Sequence, residues 1–322
     1  MTFSPNLAAA FVAAAAFFAA PAIAQPASQP TIRERFAPGD DIIVIAHRGC
    51  HSPAPLHGFG AAPENSLLAL DRCVAIGADV METDVVRSAD GQLVMIHDDT
   101  VDRTTNGTGR VANLTLDQLR RLRLRDDLGG SNAALTDQHI VTLDEMLVHA
   151  RGRIMLNLDV KASVYPEVIE AVHRAGATDF VFLKTDAGPS TPALAAIPPF
   201  DRVAFMPILL NAEGKGDLAA ILEGQAKDAR PIGAELPKLQ EAQLAPVIAA
   251  ARRHRLRLLL NTLGDGFLPG ASDRDALRSP KAVWGRLARA GITVFQTDEP
   301  EALVAFRASV RSGGCTIEGA PH

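Results

Sequence analysis

Nine short apolar runs rich in β-branched residues punctuate this chain, and the spacing between them constrains its fold more than any other feature. They cover residues 42–46, 80–86, 93–96, 154–160, 180–183, 203–209, 232–236, 256–260 and 293–296. Most are separated by segments with helical periodicity, such as 66–76, 143–149, 168–175, 239–254 and 281–290. Strands alternating with helices predict a parallel sheet. One connection differs: only residues 87–92 separate the second run from the third. That gap is too short for a crossover helix, so the two runs form an antiparallel hairpin turning at Asp90-Gly91. Setting the return strand aside leaves eight parallel strands, the number that closes a barrel, with an open sheet as the alternative on this count alone. The expected class is α/β, a TIM-like (β/α)8 barrel with an extra β-hairpin after the second strand.

The ends of the 322-residue chain read differently. Residues 7–20 are uncharged and apolar, and Pro21-Ala22-Ile23-Ala24 before Gln25 has the small-residue pattern of a cleavage site. Residues 1–24 are therefore expected to be a signal peptide, too short in its apolar part to anchor in a bilayer. A flexible lead-in over 25–40, a catalytic barrel over 41–312 and a tail over 313–322 complete the expected layout. Export implies a periplasmic or secreted protein, with no stable membrane insertion after cleavage. The net charge of −5, dispersed basic residues, one Trp and one Tyr argue against nucleic acid as a partner. Cys50, Cys73 and Cys315 contain no CxxC pair; one disulfide fits an oxidising compartment, its pairing left open.

Three segments concentrate reactive side chains: Ala46-His47-Arg48-Gly49 after the first strand, Glu82-Thr83-Asp84 in the second, and His97-Asp98 after the return strand. With Asp90 and Gly91 as the two turn residues, paired positions sum to about 181 and Asp84 faces His97. Glu82 shares the Asp84 face because strand side chains alternate. Two carboxylates so placed suit a hard cation, Ca2+ or Mg2+. Arg48 suits a phosphate, which it grips with paired donors. His47 and His97 supply one proton acceptor and one donor. Cleavage of a small-molecule phosphodiester uses every part. Lone histidines such as His51, His57, His139 and His173 read as surface or capping residues.

Several segments resemble the glycerophosphodiester phosphodiesterase family: Ala46-His47-Arg48-Gly49, Ala62-Pro63-Glu64-Asn65-Ser66, Glu82-Thr83-Asp84-Val85, the stretch from Asp90 to Asp98, and Asp102-Arg103-Thr104-Thr105-Asn106-Gly107-Thr108-Gly109. Val141-Thr142-Leu143-Asp144-Glu145 and Thr297-Asp298-Glu299-Pro300 are similar to its later motifs. The resemblance implies one divalent cation on Glu82 and Asp84, with Asp159 as a third carboxylate where the family has Glu. Being one methylene shorter, Asp159 is expected to reach the metal less directly or through water. Lys161 and Arg48 are implied to bind phosphate. Glu64 joins them as a substrate-binding group or braces the loop with Asn65. His47 and His97 are implied to be general base and acid, in either order. The implied reaction converts glycerophosphodiesters to an alcohol and glycerol 3-phosphate. A lysophospholipase D-type reaction is an alternative, because Asn261-Thr262-Leu263-Gly264 lacks the family's Trp and residues 50–62 form a longer loop. A second alternative is a non-catalytic exported binding protein for phosphorylated ligands. Lys184 stands where the family has Ser, and reads either as a site for an extra anionic group or as a surface lysine.

Overall fold

The computed structural model describes Met1, residues 29–161 and residues 163–311. Save for Met1, the expected signal peptide lies outside those residues, as do Cys315 and the expected tail.

The strands are β1 Ile43–Ala46, β2 Val80–Arg87, β3 Leu93–Met95, β4 Met155–Val160, β5 Val181–Ala187, β6 Ala204–Leu209, β7 Gly233–Leu236, β8 Arg257–Asn261 and β9 Val294–Thr297. Their order is β1-β9-β8-β7-β6-β5-β4-β2-β3, and β1 also pairs with β2, which closes an eight-stranded parallel TIM barrel carrying β3 as an extra strand. All nine expected strands are found within one or two residues at most of their ends, except that β5 runs four residues further. Around the barrel run α1 Ile32–Arg35, α2 Leu67–Ile76, α3 Leu116–Arg120, α4 Leu143–Ala150, α5 Tyr165–Arg174, α6 Leu218–Ala226, α7 Glu241–His254, α8 Asp273–Arg278, α9 Arg286–Ala290 and α10 Pro300–Arg311.

The segment expected to be a flexible lead-in folds from Thr31 onward. Thr31 and Glu34 form a capping box, and the i, i+4 pair Ile32 and Phe36 is buried among Ile43, Ile45, Val80, Phe182 and Val294. α1 thus stoppers the floor of the barrel. Two residues further along several strands the inward positions change character. Val80 gives way to Glu82, Met155 to Asn157, Phe182 to Lys184, Leu259 to Asn261 and Val294 to Gln296, all of them buried. The barrel is therefore oily at its base and polar toward the C-terminal ends of its strands, where barrel sites are built.

The β2–β3 hairpin differs from expectation by one residue. Val85 pairs with Met95 and Val86 with Val94, so paired positions sum to 180 rather than 181. The turn holds three residues, Ala89, Asp90 and Gly91, because Gly91 takes a left-handed φ of 82° and Ser88 closes the loop by donating to the Gln92 carbonyl. Asp84 is consequently opposite Ile96, whose N–H it accepts at 3.1 Å. His97 lies past the end of β3, in the following turn, and this release from the ladder lets it join the site despite the shifted register.

Candidate active site

Period-two alternation on neighbouring parallel strands brings Glu82, Asp84 and Asp159 together, since β2 pairs with β4 in a register that sets Asp84 beside Asp159. One carboxylate oxygen from each lies within 4.8 Å of the others. Asp159 takes its place in the cluster despite its shorter side chain. Burial, and next the charge of Asp84, push the Glu82 carboxyl well above its ordinary range. Lys161 stands 3.0 Å from Asp84 Oδ1 and 2.9 Å from Asp159 Oδ2. Burial opposes its charge, but those two carboxylates hold it strongly protonated. Asp84 Oδ1 is buried and faces the Lys161 ammonium without a well-aligned hydrogen bond, inside an all-oxygen cluster. Such a donor set fits a hard divalent cation.

The loop after β1 is bound tightly to this cluster. Arg48 takes a left-handed φ of 51°, donates its backbone N–H to Glu82 Oε2 at 2.7 Å, and places Nη1 3.1 Å from Glu64 Oε2. A side chain on Gly49, at φ 86°, would meet Ala69 Cβ at 2.8 Å and Met81 Cε at 2.9 Å, so only glycine fits there. Asn65, also left-handed, donates from Nδ2 to Asp84 Oδ2 at 3.0 Å and accepts from Thr83 Oγ1 and the Asp84 N–H on Oδ1. Two non-glycine residues held in this sparse backbone region are strain maintained at a site.

Glu64, expected among the substrate-binding groups or as a brace, has both oxygens occupied. Arg103 donates to Oε1 and Oε2 at 2.8 Å each, alongside Arg48. Arg103 also donates twice to Asp98, at 2.7 and 2.9 Å. Those bonds first, and His97 after them, draw the Asp98 carboxyl far below its usual range. Asp98 Oδ1 in turn takes His97 Nδ1 at 2.7 Å. With Nδ1–H so engaged, His97 presents Nε2. Arg103 and Asp98 lay inside motifs visible in the sequence, but neither had an assigned role.

His47 is arranged in the same way at the end of β1. Its backbone N–H is held by the Thr297 carbonyl at the end of β9, and Nδ1 lies 2.8 Å from Asp298 Oδ1. Burial lowers its basicity, partly offset by Asp298 and Asp84. His51 corrects the surface reading given above. It is 1% exposed, with Nδ1 2.6 Å from Asp127 Oδ1 and Nε2 3.0 Å from Asp298 Oδ1. Behind Asp298, Asp273 Oδ2 accepts the Asp298 N–H at 2.8 Å, while its Oδ1 accepts from Thr262 and Thr297. Burial raises Asp273 to about 7 despite those donors. His51 lies in the 50–62 loop, and Asp127 and Asp273 carry no role in the sequence analysis.

Cys50 and Cys73 form a disulfide, which ties the loop carrying His51 to α2; both cysteines are fully buried. The bridge closes a 23-residue separation, for which loop-closure entropy predicts about 3 kcal/mol of stabilisation. Replacing both cysteines by Ser should lower the unfolding free energy by that amount in guanidinium titrations. A loss under roughly 1 kcal/mol would show that the loop is held without it.

Lys184, read as a possible extra anion site or a surface lysine, is neither. It is 3% exposed and pairs with Glu235 Oε2 at 2.8 Å, while Asn261 donates to Glu235 Oε1 at 2.8 Å. Burial opposes its charge, but Glu235, Asp159 and Glu82 keep it strongly protonated. Its ammonium belongs to the barrel's internal charge balance.

The profile of the Glycerophosphoryl diester phosphodiesterase family matches residues 47–302. A glycerophosphodiester phosphodiesterase of Caldanaerobacter subterraneus is 36% identical over 136 residues, 41% of this chain and 51% of that one. The chain spans about half the length, or less, of the curated relatives it matches. Among solved structures, a glycerophosphodiester phosphodiesterase of Agrobacterium tumefaciens is similar with a TM-score of 0.60 at 26% identity, covering 82% of this chain and 99% of that one. A phosphodiesterase of Oleispira antarctica, solved with its product sn-glycerol-3-phosphate, shares the fold with a TM-score of 0.59 at 19% identity, over 86% of this chain and 99% of that one. The closed barrel, the extra hairpin strand and the profile match over most of the chain lead to one conclusion: this protein belongs to the glycerophosphoryl diester phosphodiesterase family.

Proposed function

We propose that this chain hydrolyses glycerophosphodiesters to an alcohol and glycerol 3-phosphate, using one divalent cation, Ca2+ or Mg2+, held by Glu82, Asp84 and Asp159. One observation carries the reading. Two histidines on the loops after β1 and β3, each with Nδ1 fixed by an aspartate, accompany a buried three-carboxylate cluster on β2 and β4. A binding protein has no use for two imidazoles whose Nε2 atoms have no hydrogen-bonding partner among the described residues. sn-Glycerol-3-phosphate, the product held by the Oleispira enzyme, is a ligand of the expected class.

The cation, when bound, supplies positive charge to the phosphoryl oxygens and lowers the cost of the charge that develops there. The chain supplies the rest. Arg48 is fixed at its backbone by Glu82 and at its side chain by Glu64, so it meets the phosphate without first being ordered. Lys161 adds a second cation beside Asp159. One histidine takes the proton of the attacking water at Nε2, and the other gives a proton to the departing alcohol oxygen. Both keep Nδ1–H on their aspartates, which holds the tautomer needed and stabilises the imidazolium formed in turn. We place the mature protein in the periplasm or outside the cell, a reading supported by the cleavage-site pattern near Ala24 and by the Cys50–Cys73 bridge.

The test is alcohol release from glycerophosphocholine by metal-stripped protein, with Ca2+ and Mg2+ restored separately. Release that returns with either ion supports the reaction and identifies the preferred metal. No release with either ion, from protein shown to be folded, would overturn it.

A further inference from the structure

His51 is the most unusual side chain near the site that the proposed reaction does not use. It is buried, and each ring nitrogen faces a carboxylate oxygen: Asp127 at 2.6 Å on Nδ1 and Asp298 at 3.0 Å on Nε2. A neutral imidazole has only one N–H, so it would leave one of these contacts as an acceptor facing an acceptor. The doubly protonated ring alone satisfies both. Asp298 Oδ1, the oxygen that takes His51 Nε2, is the same atom that holds His47 Nδ1. The chain Asp127–His51–Asp298–His47 is thus continuous, with alternating charge along its first three members.

We infer that His51 is a positioning residue for the reaction proposed above, a buried imidazolium that fixes Asp298 so that His47 presents Nε2 in one orientation. The inference rests on that reading only for its kinetic part. The surroundings support a cation at His51. Asp127, Asp298 and Glu299 face it, and among the described residues no arginine or lysine is paired with either of its two carboxylates. Burial alone would lower its basicity, but the two carboxylates raise it to about 9. Around His47 stand Asp298, Arg48 and Asp84, and behind Asp298 stands Asp273, which accepts its backbone N–H. His51 also shares the negative charge of Asp298. Without the imidazolium that charge acts on His47 alone, so His47 binds its proton more tightly. A residue that merely filled space would not alter this.

Ring 15N–1H spectra of the metal-free protein read the chain without turnover. In the parent, His51 should show two N–H groups at pH 7 and titrate only near 9. In His51→Gln, the His47 midpoint should rise, and kcat for glycerophosphocholine should fall about tenfold with KM within twofold. The limb of the kcat profile assigned to His47 should move to higher pH by the same amount. Asp127 is half-exposed, so Asp127→Asn offers a second, milder variant should His51→Gln fold poorly, with a smaller shift in the same direction. A neutral His51 ring at pH 7 overturns the inference. So does an unmoved His47 midpoint in a folded variant, or a KM change without loss of kcat. An inactive parent would instead count against the proposed reaction, and the spectra would still decide the role of His51.

Discussion

His97→Ala lowers kcat for glycerophosphocholine by about 10²–10⁴-fold, the range in which a positioned acid or base contributes, and leaves the melting temperature within a degree or two of the parent. The small structural effect follows from the contacts. The His97 side chain is 32% exposed, and its hydrogen-bonding partner is the Asp98 carboxylate. Removing the imidazole leaves Asp98 held by two bonds from Arg103, so no buried charge is stranded. The large kinetic effect follows from the proton-transfer role proposed for Nε2, which has no hydrogen-bonding partner among the described residues. His47→Ala should be comparably slow. The double variant should be little slower than either single one, because an acid and a base working in one displacement fail together. A His97→Ala enzyme that retains more than roughly a tenth of the parent rate would remove His97 from proton transfer.

The fold was legible to a high degree because its signal is periodic and repeated. Alternating strands and helices fix a parallel sheet, and the short 87–92 connection sets one strand apart from the other eight. What the pattern could not supply was the length of the hairpin loop. Asp-Gly is compatible with two-residue and three-residue turns, and the difference shifts every pair by one. α1 was missed because Thr31-Ile32-Arg33-Glu34 is a single turn of helix, and its stability comes from Ile32 and Phe36 entering the barrel floor. Both marks, a T-x-x-E capping box and an i, i+4 apolar pair, were present in the sequence.

The site divides along the same line. Residues close in sequence, or matched across a strand pair, were readable: His47 with Arg48, Glu82 with Asp84, and Asp159 with Lys161. The partners that orient them come from far away. Asp298 reaches His47 across 251 positions, Arg103 reaches Glu64 across 39, and His51 reaches Asp127 across 76. No local pattern marks a histidine as bridging two distant carboxylates, and a lone His in a loop looks the same whether buried or exposed. Lys184 shows the converse. Its inward direction follows from strand alternation, but its pairing with Glu235 depends on a strand 51 residues later.

Glu82→Gln should have two effects of opposite sign, which together test the carboxylate cluster. Glu82 is 1% exposed, and burial followed by the Asp84 charge lifts its carboxyl well above the ordinary 4.5. An acid whose folded-state value is raised costs stability at any pH above its unfolded value. Below about 4.5 the group is protonated in both states and costs nothing. As pH rises past that point the metal-free parent loses stability, until the folded-state value is also passed. Glutamine carries no charge and its amide oxygen still accepts the Arg48 backbone N–H that Glu82 takes at 2.7 Å. The metal-free variant should therefore melt higher than the metal-free parent at pH 7, by about 2–4 °C for each kcal/mol relieved. Cation binding reverses the ranking. At a hundredfold excess over its dissociation constant, a divalent ion stabilises the parent by about 2.7 kcal/mol. The variant, with one ligand charge removed from the cluster, should gain little from the ion and turn over negligibly. Thermal melts of both proteins with and without Ca2+ or Mg2+ measure the two effects at once. A variant that melts lower without metal would mean that Lys184 and the Arg48 amide already compensate Glu82 fully. A variant that keeps the full metal-induced rise would remove Glu82 from the ligand set.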